Sequence, residues 1–224
     1  MEDLEREYLI SYYDKRIGFL GKTPAALGWS EKGQLARYEA ALALFAGALP
    51  EKGEQSKNSR LDGASILDYG CGMGDFYGFL LGKGIRGINY SGFDINPGLV
   101  GIAQARCMEK NRDPEFFSFG VLDIDKGELP GFYDYSLICG VFNQRLEGIL
   151  DSAKRCIEKV WSRTKRALVF DALSGSGKQK GRDAGLQYYD PGEMLDFAKK
   201  VPGAAASLHE DLAEDDLILY LIRN

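Results

Sequence analysis

Three glycines and a set of aspartates carry the strongest chemical signal. The run ILDYGCGMGDF, residues 66–76, sets Asp68 two positions before Gly70, with Gly72 and Gly74 following on alternate positions. Glycine weakens regular structure. Three at this spacing, behind an apolar run, mark a backbone that bends sharply or lets a ligand come close. Further on, YSGFDIN ends in Asp94 and FGVLDID carries Asp123. The spacing is GxGxG, not the GxGxxG of nicotinamide-binding loops. An acid two residues before the first glycine suits a cationic ligand better than a pyrophosphate. A phosphate-binding P-loop is excluded: none of Gly21-Lys22, Gly82-Lys83 and Gly177-Lys178 has both the upstream glycine and the following Ser/Thr.

The elements that must hold these residues follow from periodicity. SILDY reads as a strand, GDFYGFLLGKG as a short helix, INYSGFDI as a strand, and NPGLVGIAQARCMEKN as a helix capped by Asn96 with Pro97 in its first turn. EFFSFGVLD and YDYSLICGVF are strands. LEGILDSAKRCIEKVWSR is a helix with Leu146, Ile149, Leu150, Ala153, Ile157 and Val160 on one face. RALVFDAL is a strand, SGSGKQKGRDAGLQ a glycine-rich loop, and DPGEMLDFAKKV a helix opened by Asp190. AAASLHE and DLILYLIRN are strands whose short connection requires antiparallel pairing. Alternating strands and helices predict an α/β three-layer sandwich, Rossmann-like, with a seven-stranded, mostly parallel sheet and an antiparallel C-terminal hairpin strand. In such sheets ligands bind beyond the carboxyl ends of the strands, where the glycines lie.

Ahead of this core, residues 1–20 read as a helix with Leu4, Tyr8 and Tyr12 recurring at i+4. Ser30 caps a second helix, EKGQLARYEAALALFAGAL, that Pro50 ends. Residues 51–63 are polar and read as a linker. The expected organisation is therefore 1–50 as helices lying over the core, 51–63 as linker and 64–224 as the core.

LDYGCGMG resembles motif I of the class I S-adenosylmethionine-dependent methyltransferases, (D/E)xGxGxG. The later elements resemble that family in order and spacing, over roughly residues 64–224. The resemblance implies S-adenosylmethionine as cofactor, with no metal. It places Asp68 toward the methionine end, Asp94 on both ribose hydroxyls and Asp123 near the adenine amino group. Gly70, Cys71, Gly72, Gly74, Ile95, Ile124 and Gly140 complete the implied cofactor surface. CGVFN stands where amino-group DNA methyltransferases carry an Asn/Asp-Pro-Pro-aromatic stretch, so no clamp for a base amine is present.

N-terminal helices in small-molecule members of that family often close over the cofactor. Trp29 covers an apolar acceptor or the adenine, or else packs a helix on the sheet. Arg37 forks the cofactor carboxylate, or is a solvated surface charge. Asn143 hydrogen-bonds the acceptor or closes the cofactor site, or caps the following helix. His209 is a candidate general base and Tyr12 a candidate acceptor-site residue, alongside Tyr13, Tyr188 and Tyr189. In the glycine-rich loop, Lys178, Lys180 and Arg182 attract an acidic substrate or are simply solvated.

The 224 residues fit one α/β domain with an appendage, and 45% hydrophobic residues supply an ordinary core. A net charge of −5 without a basic block disfavours nucleic acid. No apolar stretch reaches membrane-spanning length, and Cys71, Cys107, Cys139 and Cys156 form no CxxC pair, so a cytoplasmic protein with reduced thiols is expected. The expected activity is methyl transfer to a small molecule at O, N or C. The alternatives are a relative that binds the cofactor but is catalytically silent, one that transfers or cyclises another part of it, and a nicotinamide dehydrogenase, which the glycine spacing opposes.

Overall fold

The structure is a computed structural model, described for residues 3–47, 61, 63–109, 116–176, 182–213 and 215–223. In chain order it contains α1 (Asp3–Leu20), a 3-10 turn (Pro24–Leu27), α2 (Glu31–Phe45), β1 (Ser65–Tyr69), α3 (Asp75–Gly82), β2 (Asn89–Asp94) and α4 (Pro97–Glu109). It continues with β3 (Phe117–Val121), β4 (Tyr133–Cys139), α5 (Ile149–Ser162), β5 (Thr164–Leu173), α6 (Pro191–Ala198), β6 (Ala204–His209) and β7 (Asp216–Arg223).

Several helices start where short polar side chains satisfy orphan amides. Ser30 Oγ accepts from Gly33 N at 3.0 Å, Asn96 Oδ1 from Leu99 N at 3.0 Å, and Asp190 Oδ1 from Glu193 N at 2.8 Å. Such caps stabilise a helix by about 1 kcal/mol each. Asn143 caps nothing: the residue before α5 is Gly148, in the left-handed region.

The strands form one sheet in the order β3-β2-β1-β4-β5-β7-β6. Only β7 runs against its neighbours, antiparallel to both β5 and β6. Successive strand residues point to opposite faces and build two apolar layers. Ile66, Leu137, Val169 and Tyr220 meet Phe45 of α2, Phe76 and Leu80 of α3, and Ala103 of α4. Leu67, Ile138, Phe170 and Leu219 meet Ile157 and Val160 of α5 and Met194 of α6. α3 and α5 thus leave β1 and β4 on opposite faces, which makes the gap between these two strands the switch point of the sheet.

Within the described part of the front end, residues 3–47, the two helices pack differently. α2 belongs to the core: Phe45 is fully buried against Tyr135 and Phe76, and Tyr220 donates its hydroxyl hydrogen to Ala40 O at 3.0 Å. Truncating such an aromatic costs about 3–5 kcal/mol. α1 and the 3-10 turn lie across the strand ends, over the crevice. α1 also packs by another face than the Leu4–Tyr8–Tyr12 row, whose Leu4 and Tyr8 are 78% and 53% exposed, whereas Leu9 is buried. Apolar side chains surround this helix, so periodicity alone does not choose the face. Of the expected linker, residues 51–60 and 62 lie outside the described residues, as do Lys178 and Lys180.

Candidate functional site

A crevice opens beyond β1, β2 and β4. Gly70 and Gly72 form its floor, both at positive φ (80° and 52°). A Cβ at Gly70 would overlap Val141 Cγ2, and one at Gly72 would stand 3.0 Å from Leu27 Cδ1. The loop amides are used internally. Gly70 N and Cys71 N both donate to Phe93 O, at 2.6 and 3.0 Å, and Gly72 N donates to Asp94 Oδ2 at 3.0 Å. What the glycines offer a ligand is therefore bare backbone surface, not free donors. Asp94 Oδ1 accepts a second amide, Asn96 N, at 2.9 Å. Burial raises the Asp94 pKa against the pull of these amide hydrogen bonds. Each carboxylate oxygen keeps a further lone pair for a ligand hydroxyl.

α1 and the 3-10 turn cover this crevice. Arg16 of α1 donates to Ala26 O at 2.8 Å, and Asn96 Nδ2 donates to Asp14 Oδ1 at 2.8 Å and to Ile10 O at 3.3 Å. Leu9, Ile10, Tyr13, Leu27 and Trp29 fill the space beneath, leaving about 100 Å³. Ligand pockets usually start near 300 Å³. A nucleoside-sized molecule enters this crevice only if the cover shifts.

Beside the crevice lies a chamber of about 650 Å³, and the two share Tyr13, Leu27, Trp29 and Gly140 as a common wall. The Trp29 ring lies on Gly140, where any side chain would collide with it. Its other neighbour is Arg37, whose guanidinium carbon sits 4.2 Å from the ring centroid. Arg37 is buried and pairs through Nε with Asp171 Oδ1 at 3.2 Å and through a second nitrogen with Asp216. Burial raises both carboxyl pKa values, Asp216 adds to the rise at Asp171, and Arg37 opposes it at each. The reading of Arg37 as a solvated charge is thereby overturned. As a fork for a ligand carboxylate it is already engaged by two protein carboxylates. Its visible work is to brace Trp29.

No protein-family model and no curated protein matches the sequence. Solved structures do match over the whole length. The magnesium protoporphyrin IX methyltransferase ChlM from Synechocystis PCC 6803, with bound SAH, aligns with a TM-score of 0.69 over 99% of each chain at 17% identity. The DhpI–SAH complex aligns at 0.66, over 98% of this chain and 97% of that one, with 14% identity. The plantazolicin methyltransferase BpumL, in complex with a triazolic desmethylPZN analog and SAH, aligns at 0.61 over both entire chains with 13% identity. The chain has the class I methyltransferase fold.

Within this methyltransferase fold the sequence-selected residues fall into separate groups. Gly70, Gly72, Asp94, Ile95, Gly140 and Trp29 line the crevice. Asp68, Cys71, Gly74, Asp123 and Ile124 do not. Asp68 is buried under the loop, where it accepts the Tyr90 hydroxyl hydrogen and burial pushes its pKa up to about 7. Gly74 is bare for packing: its Cβ would press on Ala103 at 3.1 Å and Phe119 at 3.2 Å. Asp123 turns the chain after β3, with Oδ1 accepting from Asp125 N at 3.0 Å and Oδ2 lacking a partner. Ile124 packs beneath α5, its amide donating to the Tyr69 hydroxyl at 3.1 Å. Burial holds the thiols of Cys71, Cys139 and Cys156 well above their ordinary pKa, so none is a ready thiolate.

Of the candidate reactive residues, Asn143 lines the chamber. His209 packs tilted against Tyr220, 5.0 Å between centroids, and lines neither cavity. Tyr12 faces outward beside Arg16 and Phe19, in a surface groove away from both cavities. Its neighbour Tyr13 is the tyrosine at the common wall, where its hydroxyl is hydrogen-bonded to Gln144 and burial raises its pKa. The spacing Leu9–Tyr13, four apart, was the signal for this face. Among the described residues, no group of three or more His, Cys, Asp or Glu side chains is placed to hold a metal, and no helix is long and apolar enough to cross a membrane.

Proposed function

We propose that the protein is an S-adenosylmethionine-dependent methyltransferase acting on a small molecule held in the 650 Å³ chamber. The observation that carries this reading is the common wall: a crevice at the switch point of a methyltransferase fold adjoins a separate chamber, divided from it only by Tyr13, Leu27, Trp29 and Gly140. The neighbours crystallised with SAH or SAM support the choice of cofactor. Asp94 would hold the ribose hydroxyls, with Gly70, Gly72, Ile95 and Leu99 forming the adjoining surface. When bound, the cofactor supplies a methyl group already activated on a sulfonium. The chain's own tasks are then to align the acceptor and keep water out. α1, Leu27 and Trp29 do the second. The site offers no thiolate and His209 stands apart, which leaves the carboxylates that line the chamber, Glu210, Asp211 and Asp215, as the groups that could take a proton from the acceptor.

Calorimetric titration with S-adenosylmethionine and with NADH tests the cofactor, and binding of NADH alone would reject the proposal. Incubation with methyl-labelled cofactor and a small-molecule extract tests the activity. Labelled product with release of S-adenosylhomocysteine is expected; methylthioadenosine instead would mean that another part of the cofactor is transferred.

A further inference from the structure

The cover helix α1 lays one face on the crevice and turns large apolar side chains outward on the other. Phe19 and Leu4, at 89% and 78%, are the most exposed large apolar side chains of the described residues. Helical spacing sets Leu4, Tyr8, Ser11, Lys15 and Phe19 in one row. Tyr8, Ser11, Tyr12, Lys15 and Phe19, with Arg16 and Leu20, line a groove of about 510 Å³ along it. This face is held in place. The Tyr8 and Tyr12 rings lie 6.1 Å apart, the Arg16 guanidinium sits 5.5 Å from the Tyr12 centroid, and Arg16 itself donates to Ala25 O and Ala26 O. An aromatic surface ordered in advance loses little freedom on association, and an exposed apolar stripe is a mark of a contact site.

The charges of α1 select the occupant. Asp3, Glu5 and Glu7 stand in its first half with Arg6, and Lys15 and Arg16 in its second half with Asp14. The helix is not basic, which disfavours an anionic membrane surface. Glu7 and Lys15 are both exposed and have no ion pair among the described residues. They lie about two turns apart, too far to pair within one helix. We infer that this face of α1 docks on the same face of a second copy of the chain, the two helices antiparallel about a two-fold axis between Ser11 and Tyr12. That register sets Leu4 against Phe19 at both ends. It brings Lys15 over Tyr8 and within reach of Glu7, and puts the small Ser11 at the crossing, where the backbones approach most closely. A parallel pair would instead oppose Glu7 to Glu7 and Lys15 to Lys15. One helix pair then covers two crevices. The 18-residue helix is roughly 27 Å long. Burying one such face on another removes less than about 1,200 Å² from solvent, so the dimer forms in the micromolar range.

Sedimentation velocity on the full chain, from about 1 to about 200 μM, tests this, and a monomer–dimer equilibrium is expected. Phe19→Ser removes an exposed apolar contact without touching the core and should leave only monomer. Lys15→Glu sets like charges opposite each other twice in a symmetric pair and should weaken the dimer about tenfold, as should Glu7→Lys. The two exchanges combined should restore wild-type association to within about twofold. Monomer at every concentration overturns the inference. So does a dimer that survives Phe19→Ser, one that both single exchanges leave unchanged, or one that the combined exchange fails to restore. A chain that stays monomeric yet floats with vesicles of phosphatidylcholine and phosphatidylserine assigns the face to a membrane and overturns it equally. Should a charge variant not fold, Ser11→Cys tests the same register with the other contacts intact. A short bis-maleimide should join its two copies, and a yield no higher than that of wild type overturns the inference.

Discussion

The crevice and the chamber share a wall but are built in opposite ways. The crevice is made of backbone: its floor is Gly70 and Gly72, its amides are satisfied within the loop, and its acid Asp94 is held by two N–H donors. The chamber is made of side chains drawn from α1, α2, the β4 and β5 loops and the segment before β7. A ligand common to many proteins can be met by backbone geometry, which tolerates little change. A ligand particular to one protein must be met by side chains, which can be exchanged without disturbing the sheet.

The sharpest way to break this contrast is at Arg37, the charge beneath the chamber. Arg37→Met leaves Asp171 and Asp216 buried without a counter-ion and should cost about 3–5 kcal/mol of stability near pH 8. The loss should shrink as pH falls, because both carboxyl groups have raised pKa values and protonate readily. Urea unfolding at pH 8 and pH 5 measures it; a loss of the same size at both pH values would show that the guanidinium acts by packing alone. Gly70→Ala attacks the crevice instead. The left-handed φ of 80° and the overlap with Val141 together should cost about 2–4 kcal/mol. Near-neutral stability in that variant would mean that the loop yields easily and the backbone account is wrong.

Asp94→Ala should weaken S-adenosylmethionine binding by about 1–3 kcal/mol, from lost charge-assisted hydrogen bonds. Calorimetry reads this directly, and unchanged affinity would move the ribose elsewhere. A further prediction concerns pH. Asp68 is raised in the folded state to about 7, so the fold binds a proton there that the unfolded chain has already lost. Its contribution is present below the ordinary carboxylate range and declines as pH rises from about 4 to about 7. Melting temperature should therefore fall across that window in wild type and fall less in Asp68→Asn. Identical pH profiles would place the proton elsewhere.

The same contrast explains what was legible in the sequence. Gly70, Gly72 and Asp94 lie within 25 residues of one another, and their spacing follows from strand and loop geometry, so the crevice floor could be read directly. The caps at Ser30, Asn96 and Asp190 were equally local. The chamber was not. Arg37 looks like a free cation until the fold brings Asp171 and Asp216 beside it. Tyr12 and Tyr13 are adjacent, and only the docking of α1 decides which one reaches the wall. Gly74 shares its spacing with Gly70 but is bare for the sake of Ala103 and Phe119, which lie in later elements. Asn96 reads as a cap and nothing more, yet its other end grips α1.

That double grip has a kinetic consequence. Asn96 donates its backbone hydrogen to the acid proposed for the ribose and its side-chain hydrogens to α1. If the crevice takes the methyl donor as proposed, its admission and the release of its spent form both work against these bonds, together with those from Arg106 to Lys22 and from Lys126 to Asp3 that also tie the cover to the core. Loosening this fastening, as in Asp14→Ala, should then quicken both events, which stopped-flow measurement of S-adenosylmethionine binding and S-adenosylhomocysteine release would display.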